Sequence, residues 1–73
     1  MPELPILSGA KVVAILQQVG YQVARQRGSH MRLRCNGKSP VTVPAYSTIS
    51  RGLLRKILRD AELTPQQFLD LMR

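Results

Sequence analysis

The feature that most constrains the fold is a strict alternation of polar and apolar residues over residues 30–35. A period of two is typical of a β-strand with one buried face, because successive side chains of a strand point to opposite sides. The preceding residues 21–27 also predict a strand, and Gly28 and Ser29 between the two segments predict a two-residue turn. The sequence therefore predicts a β-hairpin.

The position of the turn determines which side chains share a face of this hairpin. With Gly28 and Ser29 in the turn, Arg27 lies opposite His30, and Arg25 lies opposite Arg32. The face that carries these residues and Arg34 is called the basic face below, and the face that carries Met31, Leu33 and Cys35 is called the apolar face. The hairpin is thus predicted to present one histidine and four arginines on a single surface.

A third strand is predicted at residues 41–43, ending at Pro44. The Asn-Gly pair at positions 36 and 37 marks the connection to it, and side-chain parity selects the loop length. A two-residue turn would expose both valines of the third strand, whereas a three-residue loop at 36–38 pairs Val41 with Leu33 on the apolar face. We therefore predict the three-residue loop, and the flanking prolines suit an edge strand.

Three helices are predicted outside the strands. The first begins after the N-cap Ser8 and continues to about Val19, and the second spans residues 51–61 after a serine cap. The third opens with a capping box at Thr64. The order α-β-β-β-α, with a short extra C-terminal helix, predicts an α+β fold with a three-stranded antiparallel sheet, in one domain over residues 1–73.

The positive charge of the chain is concentrated in its middle. The net charge is +7, and no carboxylate lies between residues 4 and 59. Most of the basic residues are arginines, whose planar donor groups match phosphate oxygens. This distribution favours a surface that binds nucleic acid, the alternative being a basic surface that is merely solvated. The candidate RNA-binding residues are Arg25, Arg27, Ser29, Arg32, Arg34, Lys38, Arg51 and Arg55.

Composition argues against several classes of function. The single Cys35 and the single His30 cannot form an internal disulfide or a Cys/His zinc site. The basic segment lacks the clustered carboxylates of a metal-dependent nuclease, and no glycine-rich nucleotide motif is present. No apolar run reaches the roughly 18 residues of a membrane span, and the N-terminus lacks the features of a signal peptide. We expect a cytoplasmic protein that uses neither a metal nor a small-molecule cofactor.

His30 is the residue of the basic face that can transfer protons near neutral pH, since the ordinary pKa of a histidine side chain is roughly 6.5. Its imidazole is expected to act as a base toward a ribose 2′-hydroxyl. The arginines would then stabilise the negative charge on the phosphate oxygens. This chemistry requires RNA and no metal. The alternatives are an incidental surface histidine and a non-catalytic module that binds double-stranded RNA.

Several short motifs, in a fixed order, resemble those of a known family. They are Val19-Gly20-Tyr21 at the end of the first helix, Gly28-Ser29-His30 after a strand, Val43-Pro44 at a strand end, and residues 51–61 followed by Leu63-Thr64. Together they cover roughly residues 7–70 and resemble the HicA family of toxins from bacterial type II toxin–antitoxin systems.

The resemblance implies a fold like that of a double-stranded-RNA-binding domain, ribonuclease activity on mRNA that arrests translation, and neutralisation by a HicB antitoxin. The catalytic histidine of the family follows the Gly-Ser turn, and His30 has that position here. Many members carry a second histidine shortly after the Val-Pro strand end, where this chain has Tyr46. The general acid is therefore open. Proton donation, stacking on a base and plain packing are the alternatives for Tyr46.

Overall fold

The computed structural model describes residues 3–72 and contains three strands and three helices. The strands follow the alternation of polar and apolar residues, and the helices begin at the polar caps. The elements in chain order are α1 (Gly9–Gln17), β1 (Gln22–Arg27), β2 (His30–Arg34), β3 (Val41–Pro44), α2 (Arg51–Asp60) and α3 (Pro65–Leu71). This order confirms the predicted α+β fold with an extra C-terminal helix. Residues 1, 2 and 73 of the domain predicted over the whole chain lie outside the described residues.

The strands form one antiparallel sheet in the order β1-β2-β3, so β1 and β3 are its edges. Leu33 pairs with Val41, which is the register that the three-residue loop predicts. The connection itself is longer, because β2 ends at Arg34 and β3 begins at Val41. Pro40 lacks the N–H group needed to extend the ladder, and the Lys38 N–H donates instead to the Cys35 carbonyl at 3.1 Å. The register prediction is confirmed, and the strand pairing is shorter than predicted.

The hairpin of β1 and β2 contains one irregularity that was not predicted. Arg27 pairs with His30 and Arg25 with Arg32, as the turn requires, but Val23 then pairs with Leu33. Ala24 is therefore an extra residue on β1, the arrangement of a β-bulge. The alternation of side chains along β1 changes phase at this residue.

The core lies between the apolar face of the sheet and the helices. Its sheet residues are Met31, Leu33, Val41 and Val43, and its helical residues include Val12, Ile15, Leu16, Leu54, Ile57, Leu58 and Phe68. Burying one such side chain contributes about 1.5–3 kcal/mol to stability. Because the helices cover the apolar face, the basic face on the other side of the sheet is left accessible.

Polar caps begin the helices as predicted. The side chains of Ser8, Ser50 and Thr64 each accept a hydrogen bond from a backbone N–H in the first turn of α1, α2 and α3. The helix α1 ends at Gln17, before its predicted end at Val19, because its last turn tightens into i→i−3 hydrogen bonds ahead of the left-handed glycine at position 20. The three N-caps thus fix where each helix begins and where the preceding connecting segment ends.

Candidate functional site

An open cavity of about 330 Å³ lies on the basic face. Its lining consists of Ala24, Arg25, Arg27, His30, Arg32, Arg34 and Thr42. The structure therefore brings the predicted histidine and all four arginines of the hairpin into one site. The alternation of β2 places its three residues there, and the pairing of β1 with β2 adds Arg25 and Arg27.

His30 begins β2 directly after the turn, where Gly28 adopts a left-handed φ of 53°. The Nδ1 atom of His30 lies 3.4 Å from the Oγ atom of Ser29, so Ser29 is adjacent to the imidazole although it does not line the cavity. On its other side, His30 approaches Tyr46, with 6.4 Å between ring centroids and 71° between ring planes. The imidazole is exposed to solvent and is bordered by two side chains.

The arginines of the cavity carry positive charge that the protein does not balance. Within residues 3–72 none of these arginines forms an ion pair, since the salt bridges there involve other basic residues. Arg25 lies directly opposite Arg32, and like charges in such a pair destabilise a sheet. Arg32 is held in place by a 2.8 Å hydrogen bond from Nη1 to Oγ1 of Thr42. An anion bound in the cavity would remove this repulsion.

The other three predicted RNA-binding residues do not line the cavity. The Lys38 ammonium donates a 3.3 Å hydrogen bond to the backbone carbonyl of Ala61, directly after α2. The Arg51 guanidinium donates to the Leu4 carbonyl at 2.6 Å and lies 3.3 Å from the Glu3 carboxylate, so it fixes the N-terminal segment. Arg55 is exposed on α2. None of the three therefore shares the cavity with His30, and their role toward RNA stays a prediction.

Sequence reasoning missed how the chain positions Tyr46. The Gly9 N–H donates to the Tyr46 carbonyl at 2.8 Å, and the Ala45 N–H donates to the Ser29 carbonyl at 2.5 Å. A Cβ atom on Gly9 would collide with the backbone carbonyl of Pro44. A glycine inside the first turn of a helix lowers stability relative to alanine, so its presence there needs another reason. The glycine at position 9 was therefore the one feature of the sequence that indicated a close approach of another backbone segment.

Among residues 3–72 no group of three or more His, Cys, Asp or Glu side chains is arranged to hold a metal ion. None of the helices described there has the length and apolarity needed to cross a membrane. The chemistry that the site offers is that of one imidazole and several guanidinium groups.

Comparison with known proteins shows a family and a similar fold. A family model described as the HicA toxin of bacterial toxin-antitoxin matches residues 9–63. A solved structure described as a toxin-antitoxin complex from Streptococcus pneumoniae contains a chain similar to this one, with a TM-score of 0.70 and 24% identity over 78% of this chain and 98% of that chain. At that identity the likeness shows the fold. No curated protein matches the chain.

Proposed function

Because the chain belongs to the HicA toxin family of bacterial toxin–antitoxin systems, we propose that it is an endoribonuclease that cleaves mRNA without a metal ion and so arrests translation. The observation that supports the proposal is the cavity of the basic face, which joins His30 to four arginines. Cleavage of an RNA phosphodiester needs proton transfer and phosphate binding. The imidazole supplies the first, and the guanidinium groups supply the second.

In the proposed reaction, His30 is the general base. Its imidazole takes the proton of the 2′-hydroxyl on the 5′ side of the scissile bond, and that oxygen attacks the neighbouring phosphorus. The bond between phosphorus and the 5′ oxygen breaks as the bond to the 2′ oxygen forms, and the departing oxygen takes a proton from solvent. The products are a 2′,3′-cyclic phosphate and a 5′-hydroxyl. DNA is not cleaved, because it lacks the 2′-hydroxyl.

The scheme takes Nε2 as the basic nitrogen of His30; the contact of Nδ1 with Ser29 is compatible with this choice but also fits the other tautomer, because a hydroxyl can donate or accept. The 3.4 Å separation between Nδ1 and the Ser29 Oγ is long for a hydrogen bond, but it places the hydroxyl at this nitrogen and not at Nε2. When Nδ1–H donates to the hydroxyl oxygen, the free lone pair lies on Nε2, and this atom accepts the proton of the 2′-hydroxyl. Ser29 is in this scheme a positioning residue.

The arginines contribute by holding the phosphate and by stabilising the charge that develops on its oxygens. All four side chains line one open cavity, and Arg32 is oriented there by its hydrogen bond to Thr42. Donors that are fixed before the reaction do not have to reorganise during it, which is the main source of electrostatic catalysis. The free protein holds the positive charges of these arginines close together, and the negative charge of a bound phosphate would offset their repulsion.

The test is cleavage of labelled single-stranded mRNA by the purified protein in EDTA. We expect wild-type protein to generate cyclic-phosphate ends, and His30→Ala to keep its circular-dichroism spectrum and lose cleavage. Because the variant is purified in the same way, it also controls for contaminating ribonuclease. Equal cleavage by the variant would show that His30 is not the base. Duplex RNA binding without any turnover by wild type, with or without Mg²⁺, would instead support the non-catalytic RNA-binding module.

We further propose that a HicB antitoxin neutralises the protein by covering the cavity of the basic face. The net charge of +7 and the unpaired arginines favour an acidic partner surface, which would be attracted electrostatically. The chain has one histidine, so the ultraviolet absorbance of the carbethoxyhistidine formed by diethyl pyrocarbonate reports on His30 alone. We expect the antitoxin to protect His30 from modification and to stop cleavage. Inhibition that leaves His30 fully reactive would contradict occlusion.

A further inference from the structure

Tyr46 is the exposed aromatic residue of the site, and the proposed reaction does not use it. The chain has three aromatic residues, and the other two, Tyr21 and Phe68, are completely buried. The Tyr46 side chain is 47% exposed and borders His30. Single exposed apolar residues are common on protein surfaces, so its position beside the imidazole matters more than its exposure.

The geometry of the two rings leaves tyrosine surface free for a ligand. The ring planes are inclined by 71°, an edge-on arrangement, so Tyr46 and His30 do not stack face to face. The imidazole can border at most one face of the phenol ring. Nearly half of the Tyr46 surface is exposed, so part of the ring is available to a flat group that reaches the site from solvent.

The backbone that carries Tyr46 is fixed by neighbouring elements at both ends. On the sheet side the Ala45 N–H bonds to the Ser29 carbonyl, and on the helix side the Gly9 N–H bonds to the Tyr46 carbonyl. The segment ends with an isolated β-bridge between Leu7 and Ile49. These contacts hold the backbone of Tyr46 in one place, so a ligand that packs on the ring loses little to ordering of the backbone.

We propose that Tyr46 forms a nucleobase-binding subsite, in which the base of the nucleotide that supplies the attacking 2′-hydroxyl stacks on the phenol ring. This inference rests on the proposed ribonuclease function. The base and the 2′-hydroxyl are attached to adjacent carbons of the same ribose. A nucleotide whose 2′-hydroxyl reaches His30 therefore places its base in the immediate surroundings of His30, where Tyr46 offers an aromatic face.

The subsite determines which nucleotide is preferred on the 5′ side of the scissile bond. Stacking tolerates any base, since every base has a π-face, and the preferences that arise come from stacking strength. A purine has the larger face, so we expect faster cleavage after purines than after pyrimidines. The preference should depend on the aromatic ring of Tyr46 and not on its hydroxyl.

The experiment compares Tyr46→Ala, Tyr46→Leu and Tyr46→Phe with wild type on oligoribonucleotides that differ only at the base before the cleavage position. We expect Tyr46→Ala and Tyr46→Leu to raise KM by roughly 5- to 150-fold, the equivalent of one base–aromatic stack, and to lose the purine preference. The conservative Tyr46→Phe variant keeps the ring and should keep both properties. Val23→Ala, which truncates another exposed apolar side chain outside the cavity lining, is the matched control.

Two outcomes would overturn the subsite. Loss of kcat in Tyr46→Phe equal to that in Tyr46→Ala would mean that the hydroxyl acts, as a general acid would. Unchanged KM and base preference in Tyr46→Ala would mean that the ring does not contact substrate.

A binding measurement separates this inference from the ribonuclease proposal. The same variants are titrated with uncleavable 2′-O-methyl oligonucleotides, for which turnover is irrelevant. Weaker binding by Tyr46→Ala, with normal binding by Tyr46→Phe, supports the base subsite even if wild-type protein cleaves nothing. Equal affinities across the series, beside normal cleavage by wild type, refute the subsite and leave the ribonuclease proposal standing.

Discussion

Replacing Arg25 with glutamine is expected to stabilise the protein while it weakens RNA binding. Arg25 and Arg32 lie directly opposite each other on adjacent strands, and both line the cavity. Arg32 is tied to Thr42, so it is not free to move away from its neighbour. Neither arginine has an ion-pair partner within residues 3–72. The free protein therefore bears a repulsion that the Arg25→Gln variant lacks.

The size of the gain follows from the exposure of the pair. Both side chains are exposed, so the interaction is that of charges in water. At the roughly 5 Å spacing of cross-strand neighbours, two unit charges in water repel by about 0.8 kcal/mol, which is comparable in size to the roughly 0.2–1 kcal/mol that an opposite-charge pair across strands contributes. For a domain of this size, 1 kcal/mol corresponds to a change in Tm of about 4–8 °C, so Arg25→Gln should raise Tm by about 1–8 °C. The Debye length falls to about 3 Å in 1 M salt, and the gain should disappear there.

The assay is thermal and urea unfolding of wild type, Arg25→Gln and Arg25→Lys at low salt and in about 1 M salt. The lysine variant keeps the charge and is the matched control, so it should show no gain. In RNA titrations, Arg25→Gln should reduce the slope of log K against log salt by about 0.7–0.9, the contribution of one phosphate contact. A lysine variant that is stabilised as much as the glutamine variant would refute the repulsion, and an unchanged salt slope would refute the phosphate contact.

Two further predictions concern the fold. Gly9→Ala should lower the free energy of unfolding in urea by about 1–3 kcal/mol, because its Cβ meets the Pro44 carbonyl, whereas a gain would show that this contact relaxes freely. Burial raises the pKa of the Tyr21 hydroxyl, and the negative charge of ionised Cys35 adds to the effect. The neutral Tyr21 therefore contributes stability that is complete below pH 10, its ordinary pKa, and is lost as the pH rises above that value. Tyr21→Phe should cost about 0.5–1.5 kcal/mol at neutral pH, through the lost hydrogen bond to the Ser39 carbonyl, and should show a smaller alkaline loss than wild type in unfolding measured across pH. Equal alkaline losses would assign the effect to other groups.

The sheet could be predicted from local sequence wherever one face of a strand is buried. The alternation in β2 and the parity of the loop before Val41 were sufficient for the register, since a shift by one residue would expose the apolar side chains. The bulge at Ala24 left no such signal. Every residue of β1 is exposed, so no contrast of buried and exposed positions marks the change of phase. The apolar Val23 is 41% exposed although it pairs with the buried Leu33.

In the site, too, the residues placed by local sequence patterns could be predicted, and those placed by contacts distant in sequence could not. His30 and its arginines could be placed on one surface because strand periodicity is a local property. Lys38 and Arg51 were grouped with them by charge alone, and the structure gives each a backbone carbonyl partner that is distant in sequence. The approach of Tyr46 to His30 also depends on a distant contact, the one between Gly9 and the segment after β3. Charge indicates what a residue can bind, and only the fold decides whether it reaches the site.

The arrangement also separates the residues that stabilise this protein from those proposed to act on RNA. Leu33 is completely buried, and truncating a side chain of that kind costs about 2–5 kcal/mol. Its neighbour Arg32 lines the cavity on the opposite face, where removal of one charge changes stability by about 1 kcal/mol or less. The basic face can therefore carry mutually repelling charges because the apolar face supplies the stability. A short chain with one core has no second layer in which to enclose a site. A reaction whose substrate brings its own nucleophile needs no enclosure beyond an open cavity.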